Sequence, residues 1–162
     1  MKRKHAVASA ASAAASIAEA SEALRVGVEL EEAGDAEYAR AALAHAVATA
    51  RGSDDGLHAA LRGSDDELHA ALLAALGLAA LGGIAHEAGD LVEARAALEE
   101  SVVVWPDNAA ALVKLADLEL QHGCFERARR LYESATAAPP AGACTAPWGD
   151  ELVHAPHREA VA

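Results

Sequence analysis

Alanine makes up 46 of the 162 residues, and this excess restricts the fold more than any other feature of the chain. Alanine has the highest helix propensity, but burying its methyl group removes little apolar surface from water. A core rich in alanine therefore needs backbones that approach closely. Aromatic residues account for only 3% of the chain, which argues against a β-sandwich or barrel. We predict an all-α fold of closely packed helices.

The chain has a formal net charge of −12 at pH 7, which argues against a nucleic-acid-binding protein because phosphates would be repelled. Its two cysteines, Cys124 and Cys144, fit neither a disulfide framework nor a zinc-ligand spacing. The basic start followed by alanine and serine superficially resembles a signal peptide, but the serines make its apolar region too polar. We expect a cytoplasmic protein with reduced thiols, and secretion is the alternative.

The most apolar stretch, residues 68–85, is about long enough to span a bilayer. More than half of it is alanine or glycine, however, and acidic residues and histidine lie at both ends. We therefore expect a buried helix of a soluble protein and no membrane contact.

A short duplication lies in the first half of the chain. Residues 51–61 recur as residues 62–72 with a single difference, Gly56 against Glu67. In the second copy Ser64 and Glu67 form a capping box, which predicts the start of a helix. The first copy has glycine in place of the glutamate, so we expect a weaker helix or a loop there.

A fainter repeat has a period of 34 residues and surrounds Gly89 and Gly123, each of which separates two helical patterns. The matching positions, in order, are Leu78, Leu81, Gly82, Ala85, Gly89, Ala94, Leu98, Ser101 and Pro106 in the first segment and Leu112, Leu115, Ala116, Glu119, Gly123, Ala128, Tyr132, Ala135 and Pro140 in the second. A weaker copy in the same register comprises Val26, Gly27, Leu30, Gly34, Ala39, Leu43 and Ala46.

This pattern resembles the tetratricopeptide repeat family, in which each 34-residue unit is a helix–turn–helix. The resemblance implies antiparallel helical hairpins stacked as a short right-handed α-solenoid. Two departures bear on the packing. Glu119 stands where the family normally buries an aromatic residue, which could loosen the last unit or shift its register. About 21 extra residues separate the first two units and could interrupt the superhelix.

In this register the chain divides into six segments. They are an Ala/Ser-rich helical lead (1–19), a degenerate unit (20–53), a linker containing the duplication (54–74), two well-matched units (75–108 and 109–142) and a tail (143–162). We expect the tail to be flexible apart from a short turn that could cap the last unit, with Trp148 and Leu152 as its anchors.

Three groups of residues could carry metal or acid–base chemistry. They are the Asp54–His58 and Asp65–His69 pairs, the tail residues Cys144, His154 and His157, and His122 beside Cys124. Acidic residues in a first helical turn are explained by the helix dipole, and no orienting acid accompanies the Cys–His pair. We predict no cofactor, no metal and no catalysis, and a role that depends on these His, Asp and Cys residues is an alternative.

The family resemblance also implies a concave groove, lined by the first helix of each unit, that holds a peptide or helix of a partner protein. By this analogy the groove residues are Leu24, Val28, Glu31, Glu32, Leu76, Ala79, His86, Glu87, Val113, Asp117, Leu120 and Gln121. None of them is the Lys, Arg or Asn with which co-chaperone members clamp a carboxylate. The groove is apolar at one end of each helix and acidic at the other, which favours a basic or amphipathic segment.

We therefore predict a non-catalytic protein-interaction scaffold, monomeric or weakly homo-oligomeric. Self-association through an uncapped end or through Leu76 and its neighbours is the alternative.

Overall fold

The computed structural model describes residues 2–52 and 65–137, and within these ranges the chain is helical with no strand. The helices are α1 (Lys2–Glu32), α2 (Ala36–Arg51), α3 (Asp65–Glu87), α4 (Leu91–Val104), α5 (Ala109–Gln121) and α6 (Phe125–Ala137). The all-α prediction is confirmed. Residues 53–61 of the first copy of the duplication, residues 62–64 of the second copy and the tail all lie outside the described residues.

The helices form three hairpins, α1–α2, α3–α4 and α5–α6, which share one turn geometry. Each turn contains a glycine with positive φ, at 83° for Gly34, 83° for Gly89 and 76° for Gly123. Glycine adopts this conformation without the steric cost that a side chain brings. The next amide then bonds back to the first helix at 2.9 Å in every turn, from Asp35 to Leu30, from Asp90 to Ala85 and from Cys124 to Glu119.

The hairpins stack in chain order. Helix α2 packs on α3 and α4 on α5, while the first helices α1, α3 and α5 contact one another in sequence. The arrangement is a solenoid of helical hairpins, as predicted. The extra residues between the first two units do not interrupt it, because α3 begins early and packs against both α1 and α2. The expectation of an interruption is wrong.

Small residues allow the two helices of a hairpin to touch. A Cβ atom built on Gly27 would lie 2.6 Å from Leu43 Cγ, and one built on Gly82 would lie 2.6 Å from Leu98 Cγ. Both leucines have no exposed surface, so each is seated directly on a glycine backbone. The small residues thus have specific positions in the core, in addition to their helix propensity.

Helix α3 is the central core helix. Its Leu68–Glu87 portion is long and apolar enough to cross a membrane, and more than half of that portion is buried inside the structure. It packs against α1, α2, α4 and α5. Packing within the array therefore accounts for its apolar character.

A chain of buried hydrogen bonds joins the second hairpin to the third. Ser101 Oγ donates to the carbonyl oxygen of Ala75 at 2.8 Å, and Asn108 Nδ2 donates to Ser101 Oγ at 3.1 Å. Asn108 Oδ1 in turn accepts from the amide of Ala111 at 3.3 Å and caps α5. Because Ser101 and Asn108 are both buried, these bonds fix α5 relative to α3 and α4.

Replacing Asn108 with alanine is expected to lower the free energy of unfolding by about 1.5 kcal/mol, since both a helix cap and the bond to Ser101 are lost. The matched control is Asp90→Ala, which removes only the cap of α4, where Asp90 Oδ1 accepts from the amide of Glu93 at 3.1 Å. We expect the control to lose about half as much, because no buried partner is left behind. Equal losses in urea unfolding would show that the Ser101 bond contributes nothing.

Glu119 lies in a cluster of charges in the last hairpin. Only 1% of Glu119 is exposed, yet its carboxylate pairs with Arg95 of α4 and lies 2.9 Å from Arg127 Nη1 of α6. Arg127 also bonds Glu99 of α4 at 2.7 Å. The cluster connects three helices at the position where an aromatic residue would otherwise be buried. The expectation of a register shift is wrong, because the turn at Gly123 repeats the geometry of the other two.

The surroundings of Glu119 keep it ionised. Burial raises the pKa of its carboxyl. The hydrogen bond from Arg95 and the positive charges of Arg127 and Arg95 together lower the pKa by more than burial raises it, so the net pKa lies below the ordinary 4.5. At neutral pH this buried carboxylate therefore forms ion pairs with two guanidinium groups, one from each neighbouring helix.

Candidate functional site

The first helices of the three hairpins together present one continuous surface, which we call the first-helix face. It comprises Val28, Glu31 and Glu32 of α1, His86 and Glu87 of α3, and Lys114 and Gln121 of α5. Each residue is exposed or half-buried, and α1, α3 and α5 contact one another in order. The face therefore crosses all three hairpins.

Two cross-helix contacts hold this face together. His86 Nε2 of α3 lies 3.0 Å from Gln121 Oε1 of α5 and donates a hydrogen bond to it. Lys114 of α5 lies across Gly83 of α3, where a Cβ atom would come within 3.3 Å of Lys114 Cε. The missing side chain at Gly83 gives the lysine room to reach over α3.

The acidic residues of the face lie within electrostatic range of one another. Burial is the main cause that raises the pKa of Glu31, and the charges of Glu87 and Glu32 raise it further, while Lys114 opposes them. Glu31 belongs to α1, Glu87 to α3 and Lys114 to α5, so the stacking of hairpins creates this environment. The three carboxylates of Glu31, Glu32 and Glu87 therefore face a single cation, Lys114, and the site has a net negative charge.

Two predicted groove residues are in the core instead. Leu24 is 5% exposed and Ala79 is 4% exposed. Leu24 Cδ1 lies 3.9 Å from the Cβ position of Gly77 in α3, and Ala79 belongs to the cluster that includes Ala111 and Leu115. Both side chains are covered by the next hairpin, and the prediction that they line an open groove is wrong.

Leu76 is half-buried and packs against the core cluster of the first two hairpins. It therefore has a packing role in this structure, and little of it is available to a partner.

Three other predicted groove residues lie apart from the Glu31 cluster. Val113 occupies the repeat position of Leu24 and Ala79, and it is 39% exposed because no further hairpin covers it within the described residues. Asp117 accepts a hydrogen bond from the Tyr132 hydroxyl of α6. Leu120 lines a pocket on α6. Asp117 and Leu120 therefore lie against α6 of the same hairpin.

Sequence reasoning missed Lys114, the only basic residue that reaches the Glu31 cluster in the described part of the chain. The signal that could have found it is Gly83. A glycine at a groove position leaves space that a long side chain from the neighbouring helix can fill.

The structure describes only some of the residues considered for metal or catalytic chemistry. Among residues 2–52 and 65–137, no three His, Cys, Asp or Glu side chains are grouped so that they could hold a metal ion. His122 Nδ1 donates to the carbonyl oxygen of Leu118 at 2.8 Å, and the exposed Cys124 thiol donates to the carbonyl oxygen of His122 at 4.0 Å and to the Glu119 carboxylate. The imidazole and thiol therefore do not pair. Asp54, His58, Cys144, His154 and His157 lie outside the described residues.

The comparisons with known proteins agree with this architecture. Residues 85–143 match the model of the tetratricopeptide repeat family. No curated protein matches the chain significantly. The match begins at the end of α3 and includes both helices of the last hairpin, and domains of this family generally bind other proteins. Residues 85–143 are therefore similar to tetratricopeptide repeats, and the described helices form an array of hairpins that share one turn and one mode of stacking.

Proposed function

We propose that this chain is a non-catalytic interaction scaffold that captures a basic or amphipathic segment of a partner protein on the first-helix face. The observation that carries the proposal is the cluster of Glu31, Glu32 and Glu87, which Lys114 balances only in part. The proposed role needs no cofactor, and we propose that the protein acts in the cytoplasm.

The acidic cluster of the free face carries more negative charge than Lys114 neutralises, and a bound cation would reduce the repulsion between its carboxylates. Burial and the neighbouring carboxylates raise the pKa of Glu31 although Lys114 opposes them, so its ionised form is less favourable in the free protein than in water. A lysine or arginine of a bound segment would stabilise that ionised form, and the chain's net charge of −12 would speed the encounter. Val28, 36% exposed beside the acidic cluster, offers apolar contact to the same segment.

Replacing Glu31 with glutamine is expected to stabilise the free protein while it weakens binding of a basic segment. The pKa of Glu31 is raised on folding, so its contribution to stability is present below the unfolded pKa and is lost as pH rises through the folded pKa. At pH 7 the carboxylate is therefore a cost. Its removal should raise the free energy of unfolding by about 0.5 kcal/mol, the scale of screened repulsion between like charges. Urea unfolding at pH 7 measures this gain, and a loss of stability would contradict it.

The partner experiment uses charge reversal at two sites. The double variant Glu31→Lys/Glu87→Lys inverts the acidic cluster, whereas Glu37→Lys/Asp107→Lys makes the same change in net charge at exposed residues outside the face. Both variants and the wild type serve as bait in extracts of the native cell, with captured proteins quantified by mass spectrometry. We expect the first variant alone to lose the partners of the wild type. Equal capture by both variants would contradict the proposal.

A further inference from the structure

The end of the Lys114 side chain lies in a space on the first-helix face that Gly83 of α3 leaves open. Gly83 is buried, and a Cβ atom built on it would collide with Lys114 Nζ and lie 3.3 Å from Lys114 Cε and 3.6 Å from Lys114 Cδ. The lysine of α5 therefore occupies the place that a side chain of α3 would otherwise take. We call this place the Gly83 slot.

The Gly83 slot is a favourable position for a cation. Glu87 follows Gly83 by four residues, so both lie on the same side of α3. Burial raises the pKa of Glu31 on α1, and the charge of Lys114 opposes that shift. A positive charge in the slot is therefore attracted to acidic residues of the first two hairpins.

We propose that Lys114 is an intramolecular competitor of the partner, so that a lysine or arginine of the bound segment takes the Gly83 slot and Lys114 leaves it. The inference rests on the proposed function and adds the position that the partner's cation takes. It also makes the face selective, because only a basic residue that contacts the carboxylates more closely than Lys114 does can displace the lysine.

Lys114 is held weakly enough to be displaced. Among the described residues it forms no ion pair within 4 Å, so its attraction to Glu31 acts over a longer distance. Interactions of this kind contribute little to stability near the surface, and the four-carbon stem of lysine is flexible. A cation that reaches the carboxylates directly replaces a long interaction by shorter ones.

The first test measures affinity for a synthetic amphipathic helix of lysine and leucine by isothermal titration calorimetry. Lys114→Met removes the competing charge and keeps an unbranched side chain, and we expect about fivefold tighter binding, the effect of one near-surface charge interaction. The matched control Arg130→Met makes the same change in net charge at an exposed residue of α6. It should change the affinity by less than about twofold, because salt screens distant charges.

A double-mutant cycle distinguishes displacement from the slot from a general effect of charge. Gly83→Ala fills the slot with a methyl group, so neither Lys114 nor a cation of the peptide can occupy it. We expect Lys114→Met to tighten binding much less in the Gly83→Ala background than in the wild type. An equal gain in both backgrounds would overturn the proposal.

Lys114 can also report its own displacement in the wild-type chain. Lysine occurs only at positions 2, 4 and 114, so selective ¹³C labelling of lysine gives few ε-methylene signals, and Lys114→Met identifies that of Lys114. We expect this signal to move to the position of free lysine as the peptide saturates the face. A signal that is unmoved at saturation would contradict the displacement.

The outcomes separate this inference from the proposed function. Both fail if Glu31→Lys/Glu87→Lys binds the peptide as tightly as the wild type, or if neither the wild type nor Lys114→Met binds it. If the double variant abolishes binding while Lys114→Met leaves the affinity unchanged or lowers it, the proposed function stands and Lys114 is not a competitor.

Discussion

Replacing Glu119 with alanine is expected to lower the free energy of unfolding by about 3 kcal/mol, because breaking a buried ion pair costs 3–5 kcal/mol and its two arginine partners retain some contact with water. The side chains of Arg95 and Arg127 are 29% and 52% exposed, so each can turn toward solvent after the carboxylate is lost. Solvation of the arginines does not replace the ion pairs that connect α5 to both α4 and α6. The measurement is equilibrium unfolding in urea.

Two further variants separate the contribution of the Glu119 charge to stability from the contributions of its volume and its buried position. Glu119→Gln keeps the shape of the side chain and removes its charge, and we expect a loss of about 2 kcal/mol, the scale of a hydrogen bond to a charged group. Glu126→Ala removes an exposed glutamate that bonds Arg129 at 3.1 Å, and we expect less than about 0.5 kcal/mol. Losses of the same size for Glu119→Ala and Glu126→Ala would show that the cluster does not stabilise the fold.

Acid titration gives an independent check on Glu119. Its pKa is lower in the folded chain than the ordinary 4.5, so its ionisation stabilises the fold above the unfolded pKa. That stabilisation disappears as pH falls through the folded pKa. The wild type should therefore lose stability below about pH 4.5 more steeply than Glu119→Ala. Parallel curves in this pH range would contradict the assignment.

The second large effect concerns two adjacent glycines in α3 that should respond to alanine with opposite signs. A Cβ atom at Gly82 would lie 2.6 Å from Leu98 Cγ and 3.3 Å from the carbonyl oxygen of Ala94. Leu98 is fully buried and has nowhere to move, so we expect Gly82→Ala to cost about 2 kcal/mol by overpacking.

At its neighbour Gly83, the three atoms nearest to an added Cβ all belong to the flexible side chain of Lys114, which can swing away. Gly83→Ala should then gain up to about 1 kcal/mol from helix propensity. Thermal unfolding of the two variants measures both effects, as a lowered midpoint for Gly82→Ala and an unchanged or raised midpoint for Gly83→Ala. Shifts of the same sign would contradict the packing described for α3.

Local rules account for the parts of the fold that could be predicted from the sequence. Turn glycines such as Gly89 and Gly123, spaced by the repeat period, require positive φ and identify the hairpins directly. Alanine and glycine at the contact positions predict close helices, and Gly82 against Leu98 realises that contact. These features depend on residues that are close in sequence, so the sequence pattern alone predicts them.

The errors arose where a residue's role depends on the next hairpin. The family analogy places Leu24 and Ala79 in a groove, but stacking covers them, because the pattern of one helix does not show whether the next hairpin packs on it. Glu119 violates the expected aromatic position, and only the approach of Arg95 and Arg127 from α4 and α6 makes its burial favourable. Lys114 reaches the acidic cluster across another helix, which no local pattern reveals.

The most direct test of the proposed function is to map the binding surface by nuclear magnetic resonance. Amide shifts of the isotopically labelled chain would be followed as a partner segment identified by the capture experiment is added. The account predicts that the largest shifts lie on α1, α3 and α5 around Glu31, Glu87 and Lys114, and that Glu31→Lys/Glu87→Lys abolishes them. Shifts confined to α2, α4 and α6, and unaffected by that double variant, would contradict it.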